Sequence, residues 1–102
     1  MSMAKMIVIY NEPTNKEGFD EHYDKVHVPL VQKLPLLKNA SINYVRQAMN
    51  TNENFYLIAE LEFGSLQEIG QALESPEGKE VAGDIANLMA FLEKPPVITM
   101  VE

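Results

Sequence analysis

The amino-acid sequence predicts an α+β fold of ferredoxin-like type, with the order βαββαβ and a four-stranded antiparallel sheet that carries its helices on one face. Two observations support this prediction. The spacing of apolar residues switches between the strand period and the helix period in that order along the chain. The two middle strands are separated by a short polar segment, residues 50–54, which suits a hairpin. With 102 residues, the chain is expected to form a single domain over residues 1–102.

The first strand is predicted over residues 5–10, which are mostly apolar and are followed by Asn11 and Pro13. Both alternating sets of side chains in this strand are apolar, so we expect both of its faces to be covered. A capping box from Thr14 to Glu17 then opens the first helix. The apolar stripe of this helix, at spacings of three and four residues, comprises Phe19, Tyr23, Val26, Leu30 and Leu34.

A proline interrupts the first helical pattern. Pro29 lacks an N–H group, and its ring crowds the carbonyl of Lys25. We therefore expect a kink or a break near Val28 and Pro29, and the end of the helix before Pro35.

The second and third strands are predicted over residues 40–49 and 55–63. The third strand has the clearer alternation, which divides its side chains between two faces. One face comprises Phe55, Leu57, Ala59, Leu61 and Phe63, and the other comprises Tyr56, Ile58, Glu60 and Glu62.

The second helical region is predicted in two parts. A capping box from Ser65 to Glu68 opens a short helix. Ser75 and Pro76 then start a second helix, since proline is favoured at the first helical position. The residues expected to face inward are Leu66, Ile69 and Leu73 in the first part and Val81, Ile85, Leu88 and Leu92 in the second. Two prolines end this region before a last strand over residues 97–101.

The predicted topology leaves one face of the sheet without helices. Right-handed crossovers place both helical regions on the same face. The other face covers roughly 400 Å², from a 3.3 Å rise per residue and a 4.8 Å strand spacing. A patch of that size is at the limit for a soluble monomer. We therefore expect a homodimer that buries two such faces. A third layer from loops or from another protein is the alternative.

Charge and composition exclude several classes of partner. Eight Lys and Arg residues against fifteen Asp and Glu residues give a net charge of −7, so nucleic acid and anionic membranes are not expected partners. The chain has no cysteine, which excludes disulfides and thiolate metal sites. The first apolar stretch is too short for a signal peptide or a membrane span, which predicts a cytoplasmic protein.

The first helix contains both histidines of the chain, His22 and His27. Tyr23 and His27 are four residues apart and lie along one edge of the apolar stripe, with His22 on its other edge. An imidazole with a pKa near 6.5 exchanges protons at cellular pH, and a phenol stabilises an oxyanion. His27, Tyr23 and His22 are therefore candidate catalytic residues for enolisation, isomerisation or aldol-type closure. Alternatively, the histidines only bind backbone carbonyls.

Further candidates for substrate binding lie outside this helix. Tyr10 and Asn11 end the first strand, and Tyr44 and Arg46 share one face of the second. Arg46 is a candidate partner for Glu60, for a ligand anion or for a surface carboxylate. The two histidines, five residues apart, diverge by about 140° around a regular helix, so no metal site is predicted. The proposed chemistry needs no cofactor.

Several segments of the sequence resemble the EthD family, over nearly the whole chain. The most specific is the run His22-Tyr23-x-x-x-His27-Val28-Pro29-Leu30, and the segments 6–13, 55–66 and 75–78 also match. The family is named for the degradation of ethyl tert-butyl ether and accompanies a haem-dependent monooxygenase system. The resemblance implies a dimeric α+β barrel. It also implies a candidate site of His22, Tyr23, His27 and Pro29.

Three functions are consistent with these observations. The first is a protein of a catabolic oxidation pathway that binds a small organic ligand, as an accessory or through cofactor-free proton transfer. The second is a cofactor-independent oxygenase, because the wider superfamily implied by the resemblance contains such enzymes. The third is a non-enzymatic, ligand-carrying or structural dimer. An open cavity lined by Tyr23 and His27 would favour the first two.

Overall fold

The computed structural model describes residues 3–102, which form the predicted four-stranded antiparallel sheet in the order β2-β3-β1-β4. The central strands are β1 (Ala4–Asn11) and β3 (Phe55–Phe63), and the edge strands are β2 (Asn39–Tyr44) and β4 (Val97–Val101). This strand order confirms the βαββαβ topology. The second strand is shorter than predicted, because only one further backbone hydrogen bond, from Val45 to Tyr56, continues the pairing at 2.8 Å.

The helices pack on one face of the sheet. The first helical region comprises α1 (Lys16–His22), a π-helical turn (Tyr23–His27) and α2 (Val28–Gln32). The second comprises α3 (Leu66–Glu74) and α4 (Pro76–Leu88), followed by a 3₁₀ turn (Met89–Phe91). No helix among residues 3–102 is both long and apolar enough to cross a bilayer.

The cap of α1 differs by one residue from the prediction. Asn15, and not Thr14, occupies the N-cap, where its side chain accepts a hydrogen bond from the backbone N–H of Gly18 at 3.0 Å. The hydroxyl of Thr14 instead donates to the carbonyl of Phe91 at 3.1 Å. The start of α1 is thereby joined to the turn that follows α4.

The irregularity predicted near Pro29 is confirmed and takes the form of a π-helical turn. The N–H of Val28 donates to the carbonyl of Tyr23, five residues back. Pro29 has no N–H to bond the carbonyl of Lys25, so an α-helical register at this point would lack a bond in any case. The wider turn is the local solution that keeps the helix continuous.

The π-helical turn changes which side chains face the core. A wider turn brings residues four and five positions apart onto one side. His27 and Val31 are therefore buried, with exposed fractions of 3% and 7%. Val26, predicted to be in the stripe, is 40% exposed, and Leu30 is only half-buried. The prediction was wrong for Val26, because it assumed 3.6 residues per turn throughout, whereas Leu30 packs against the core as predicted.

The predicted cap of α3 and the predicted start of α4 at Ser75 and Pro76 are both confirmed. The hydroxyl of Ser65 accepts from the N–H of Glu68 at 3.1 Å, and that of Ser75 accepts from the N–H of Gly78 at 3.0 Å. Leu66 was expected to face inward but is 43% exposed. The buried residues of α3 and α4 are Ile69, Ala72, Gly78, Val81, Asp84 and Leu88.

The two faces of the sheet differ in burial. The face under the helices carries the core residues of the central strands, among them Met6, Tyr10 and Leu57. Tyr56 was predicted to lie on the other face but lies on this one. The pairing register shifts between Tyr10 and Asn11 and leaves Tyr56 without a partner on β1, as in a β-bulge. The opposite, outer face comprises Lys5, Ile7, Ile9, Ser41, Asn43, Ile58, Glu60, Glu62, Val97, Thr99 and Val101.

Candidate active site

A cavity of about 480 Å³ lies between the helices and the sheet. Its lining comes from all four strands and from the helices above them, and most of it is aliphatic. None of the described residues that line it is Asp, Glu, Lys or Arg. This volume is in the range of pockets that hold a small organic molecule. The aliphatic lining includes Met6, Val8, Val31, Ile42, Ala59, Leu61, Val81, Ile85, Ile98 and Met100.

Tyr10, Tyr23 and His27 form a polar corner of the cavity, and Gln32 is a further polar residue of its lining. The rings of Tyr23 and His27 stack with centroids 5.2 Å apart, and that of Tyr10 meets Tyr23 edge-on at 5.5 Å. Neither phenol hydroxyl has a hydrogen-bond partner among residues 3–102. In these residues, every polar side-chain atom that is fully enclosed does have a partner, so an unpaired hydroxyl must be accessible. The two hydroxyls must therefore face the open cavity.

Asp84 on α4 holds the histidine of this corner. Its Oδ2 lies 2.8 Å from Nδ1 of His27, and its Oδ1 lies 2.7 Å from Nε2 of His22. The side-chain amide of Asn87 donates to Oδ1 at 2.9 Å. Asp84 is 4% exposed, so the carboxylate is a buried charge with donors on both oxygens.

Electrostatics determine the protonation of this group. Burial alone raises the pKa of Asp84, but hydrogen bonds from Asn87, His22 and His27 outweigh it, and the net shift is downward. Burial lowers the pKa of His27 despite the hydrogen bond to Asp84. At neutral pH, Asp84 is therefore an anion and His27 is neutral.

The hydrogen bond to Asp84 also determines the tautomer of His27. An ionised carboxylate only accepts hydrogen bonds, so Nδ1 of His27 must carry the proton. Nε2 then carries a lone pair, and it has no partner among the described residues. This nitrogen is therefore a free base that faces the cavity beside two phenol hydroxyls, as in a histidine oriented by an aspartate for proton transfer.

Burial has a related effect on the tyrosines of the corner. It raises the pKa of Tyr10, with a further increase from the nearby Tyr23 and Asp84. It also raises the pKa of Tyr23, with a smaller contribution from Tyr44. Both phenols therefore stay protonated and act as hydrogen-bond donors at neutral pH.

The π-helical turn explains how two histidines five residues apart reach one carboxylate. The predicted divergence of 140° applies to a regular α-helix and was wrong for this segment, because a π-helical turn returns to the same side after about five residues. The two imidazoles therefore meet at Asp84. Among residues 3–102, no group of three or more His, Asp or Glu side chains is arranged to hold a metal ion.

Asp84 is the candidate site residue that the sequence analysis missed. It lies three residues after Val81 and four before Leu88, on the buried stripe of α4. A carboxylate at such a position requires a buried partner. That anomaly in the apolar pattern was the available signal, and the histidines of the first helical region were the candidate partners.

The structure brings only some of the predicted site residues together. Tyr10, Tyr23 and His27 line the cavity, whereas His22 reaches it only through Asp84. Asn11 lies at a separate surface cleft near Glu53 and Lys94. The remaining predicted residues, Pro29, Tyr44, Arg46 and Glu60, do not line the cavity.

Three of those remaining residues have other surroundings. Tyr44, which is 40% exposed, meets the ring of Tyr56 edge-on at 5.5 Å. Glu60 lies on the outer face and pairs with Lys5 at 3.4 Å, so it is not the partner of Arg46. Arg46 follows the end of β2 and is exposed, which removes it from the predicted strand face.

Comparison with known proteins identifies close relatives. The model of the EthD domain matches residues 11–91. An uncharacterised 11.0 kDa protein from the thcB-thcC intergenic region of Rhodococcus erythropolis is 40% identical over 85 residues, which is 83% of this chain and 82% of that protein. The crystal structure of an ethyl tert-butyl ether degradation family protein from Bacillus halodurans is 31% identical and has a TM-score of 0.86, covering 99% of this chain and 98% of that one.

More distant solved structures share the fold alone. SnoaB, a cofactor-independent oxygenase from Streptomyces nogalater, is 10% identical with a TM-score of 0.69, over 100% of this chain and 93% of that one. Other similar structures, at 16% and 14% identity, are described as dimeric ferredoxin-like proteins of unknown function.

Proposed function

This chain belongs to the EthD family, and we propose that it is a homodimeric protein in which His27 acts as a general base on an uncharged, largely apolar ligand. The observation that carries this proposal is the free Nε2 of His27, oriented by Asp84 toward a cavity of about 480 Å³. The hydroxyls of Tyr10 and Tyr23 lie in the same corner.

The chemistry that suits this corner is proton transfer next to a carbonyl. Nε2 of His27 takes a proton from the carbon beside the carbonyl, and the electron pair of that C–H bond moves to the carbonyl oxygen. The resulting enolate accepts hydrogen bonds from Tyr10 and Tyr23. Where the enolate is conjugated with a C=C bond, return of the proton from Nε2 to the far carbon of that system completes an isomerisation. Attack of the enolate carbon on a second carbonyl breaks its C=O π bond, and the resulting alkoxide takes the proton from Nε2 to complete a cyclisation. Asp84 stabilises the imidazolium in between.

The lining of the cavity favours a ligand without charge. No Lys or Arg among the described lining residues offers an anion a partner, and the nearest buried charge, on Asp84, is negative. The burial that raises the pKa of Tyr10 and Tyr23 acts in the same way against an anionic ligand. We therefore propose that carboxylates and phosphates are excluded.

The outer face of the sheet supports the homodimer. Ile7, Ile9 and Ile58 form its centre and are only half-buried in the isolated chain, and Val97 beside them is 57% exposed. Contiguous apolar surface of this kind marks an interface. Similar structures of the same fold are described as dimeric.

Sedimentation of the native protein should give the mass of two chains. Ile9→Asp should give the mass of a single chain, whereas Gln67→Asp, on the exposed side of α3, should keep the mass of two.

The family name connects this proposal to a pathway. We propose that the protein serves a catabolic oxidation of the ether-degradation type, in the cytoplasm, where an uncharged apolar intermediate is handled. The same base also suits the second candidate, a cofactor-independent oxygenase, because the deprotonated ligand would itself react with oxygen. SnoaB, which has a similar fold, is such an oxygenase.

Two uncharged probes test the base. 2-Tetralone has enolisable protons beside its carbonyl, and in D₂O the protein should accelerate their exchange, followed by NMR. His27→Gln should lose this acceleration, whereas Arg46→Ala, which lies outside the cavity, should retain it. 2-Naphthol should bind by calorimetry, and 2-naphthoate, with the same skeleton and a charge, should not.

The possible outcomes separate the three functions. Accelerated exchange supports the proton-transfer catalyst. Oxygen consumption with anthrone that depends on His27 supports the oxygenase, and binding without either reaction supports a ligand carrier. Equal exchange in His27→Gln and the native protein would contradict the proposal.

A further inference from the structure

His22 lies outside the cavity, but it shares a carboxylate with the proposed base. Asp84 accepts from His27 on one oxygen and from His22 on the other, at 2.8 and 2.7 Å. His27 is 3% exposed, whereas the side chain of His22 is 23% exposed. One buried carboxylate therefore connects an imidazole that faces the cavity with an imidazole that reaches solvent.

We propose that His22 is a positioning residue that sets the basicity of His27 through Asp84, so that the cavity responds to the pH of the surrounding solvent. This inference rests on the proposed function in one respect, namely that His27 is the base. His22 does not line the cavity, and it acts through the shared carboxylate alone.

The coupling is electrostatic and follows from the shared partner. A neutral His22 donates from Nε2 to Asp84 and leaves the negative charge available to stabilise an imidazolium at His27. When Nδ1 of His22 also carries a proton, the positive charge of that ring competes for the same carboxylate. The pKa of His27 is lowered first by burial and also by the charge of His22, against the opposing effect of Asp84.

Among residues 3–102, the charged side chains that shift the pKa of His27 are Asp84 and His22. The titratable groups that face the pair are Asp84 on α4, Tyr10 on β1 and Tyr23 in the π-helical turn. Burial raises the pKa of both tyrosines, so they stay neutral where imidazoles titrate. Asn87 donates to Asp84 without charge, and the ring of Phe91 is 6.3 Å from that of His22. Asp84 is therefore the charged connection between the rings.

NMR titration of the imidazole ring protons tests this inference without any ligand. His22→Gln retains an amide donor for Asp84 but cannot carry charge, so the titration midpoint of His27 should rise by about 1 pH unit. Asp84→Asn removes the stabilising charge and should lower that midpoint by about 1 to 3 pH units. An unchanged or lowered midpoint in His22→Gln would overturn the inference.

The native protein supplies a second measurement that does not depend on a variant being folded. The His27 signal should titrate in two steps, because a site that interacts strongly with a second titrating site shows the titration of both. A single titration step in the His27 signal would overturn the coupling. Absence of ligand binding with the coupling intact would contradict the proposed function alone, and binding without coupling would contradict this inference alone.

Discussion

Two polar clusters flank the first helical region, and they use the same residue types in opposite ways. In one, the hydroxyl of Tyr56 donates to the carboxylate of Asp20 at 2.8 Å, which satisfies the phenol completely within the protein. In the other, Asp84 is satisfied by donors, but Tyr23 beside it has a free hydroxyl that faces the cavity. Free hydrogen-bonding capacity at a buried position is typical of a binding site, and a closed network is typical of a structural contact.

The clusters also differ in what surrounds them. The contact of Asp20 and Tyr56 lies at the surface end of the sheet, where Lys16 approaches the phenol ring at 6.0 Å. The contact of Asp84 and His27 is buried, with exposed fractions of 4% and 3%. A charge in the second cluster therefore depends on its partners much more than a charge in the first.

The largest expected difference is in stability. Asp84→Ala removes the acceptor of three donors and should lower the free energy of unfolding by about 3 kcal/mol. Asp20→Ala removes one hydrogen bond at a partly solvated site and should cost about 1 kcal/mol. Urea denaturation of the two variants beside the native protein measures both values. Equal costs would contradict the contrast between the clusters.

The next difference separates ligand binding from stability. Tyr23→Phe removes a hydroxyl without a protein partner, so stability should change by less than about 0.5 kcal/mol. The exchange rate of 2-tetralone should fall roughly 100-fold, because a donor to the enolate is lost. Tyr56→Phe should do the reverse, with a loss of about 1 kcal/mol and no effect on exchange. If Tyr56→Phe lost exchange and Tyr23→Phe retained it, the site would lie at the cluster of Asp20 and Tyr56 and the assignment would be wrong.

The two clusters should respond to opposite extremes of pH. The pKa values of His27 and Asp84 are lowered in the folded protein, so the unfolded chain binds more protons. The stability that these groups contribute is therefore complete above the pKa of His in the unfolded chain, about 6.5. It falls as the pH drops, first through His27 and then, below about pH 4, through Asp84. Burial and the hydrogen bond to Asp20 raise the pKa of Tyr56 to about 12, so its contribution is complete below about pH 10 and is lost above it.

Stability curves against pH for three proteins test these assignments. Asp84→Asn should remove the loss below about pH 4 and, because it lowers the pKa of His27 further, should steepen the loss just below pH 6.5. Tyr56→Phe should reduce the loss on the alkaline side. The raised pKa values of Tyr10 and Tyr23 leave part of the alkaline loss in place. An acid side that is unchanged in Asp84→Asn would show that other carboxylates control it.

The smallest effect is expected at Arg46, outside both clusters. Its side chain is exposed and forms no ion pair with the other described residues. Arg46→Ala should therefore change the free energy of unfolding by less than about 0.5 kcal/mol and leave 2-naphthol binding unaltered. A clear loss of binding, measured by calorimetry, would restore Arg46 to the site.

Much of the fold was predictable because it follows from local patterns. The β3 strand has the bounds that its alternation predicts, and Ser65 and Ser75 cap the helices that their spacing predicts. The candidate residue Tyr23 was predictable for the same reason, since its position on the apolar stripe places it toward the sheet.

The rest of the site was not predictable from local patterns. The pairing of Asp84 with both histidines joins residues 62 and 57 positions apart. It depends on how α4 packs against the first helical region. The position of Tyr56 likewise depends on the pairing register between two strands, which the sequence of one strand does not contain.

The sequence by itself determined the order of the elements, their caps and the presence of a proline that disturbs the first helix. Only the tertiary structure decided how the chain resolves that disturbance. The π-helical turn buries His27 in place of Val26 and brings both imidazoles to Asp84. The physical reason is that a missing backbone hydrogen bond permits several local geometries, and the buried carboxylate stabilises the one that supplies its donors.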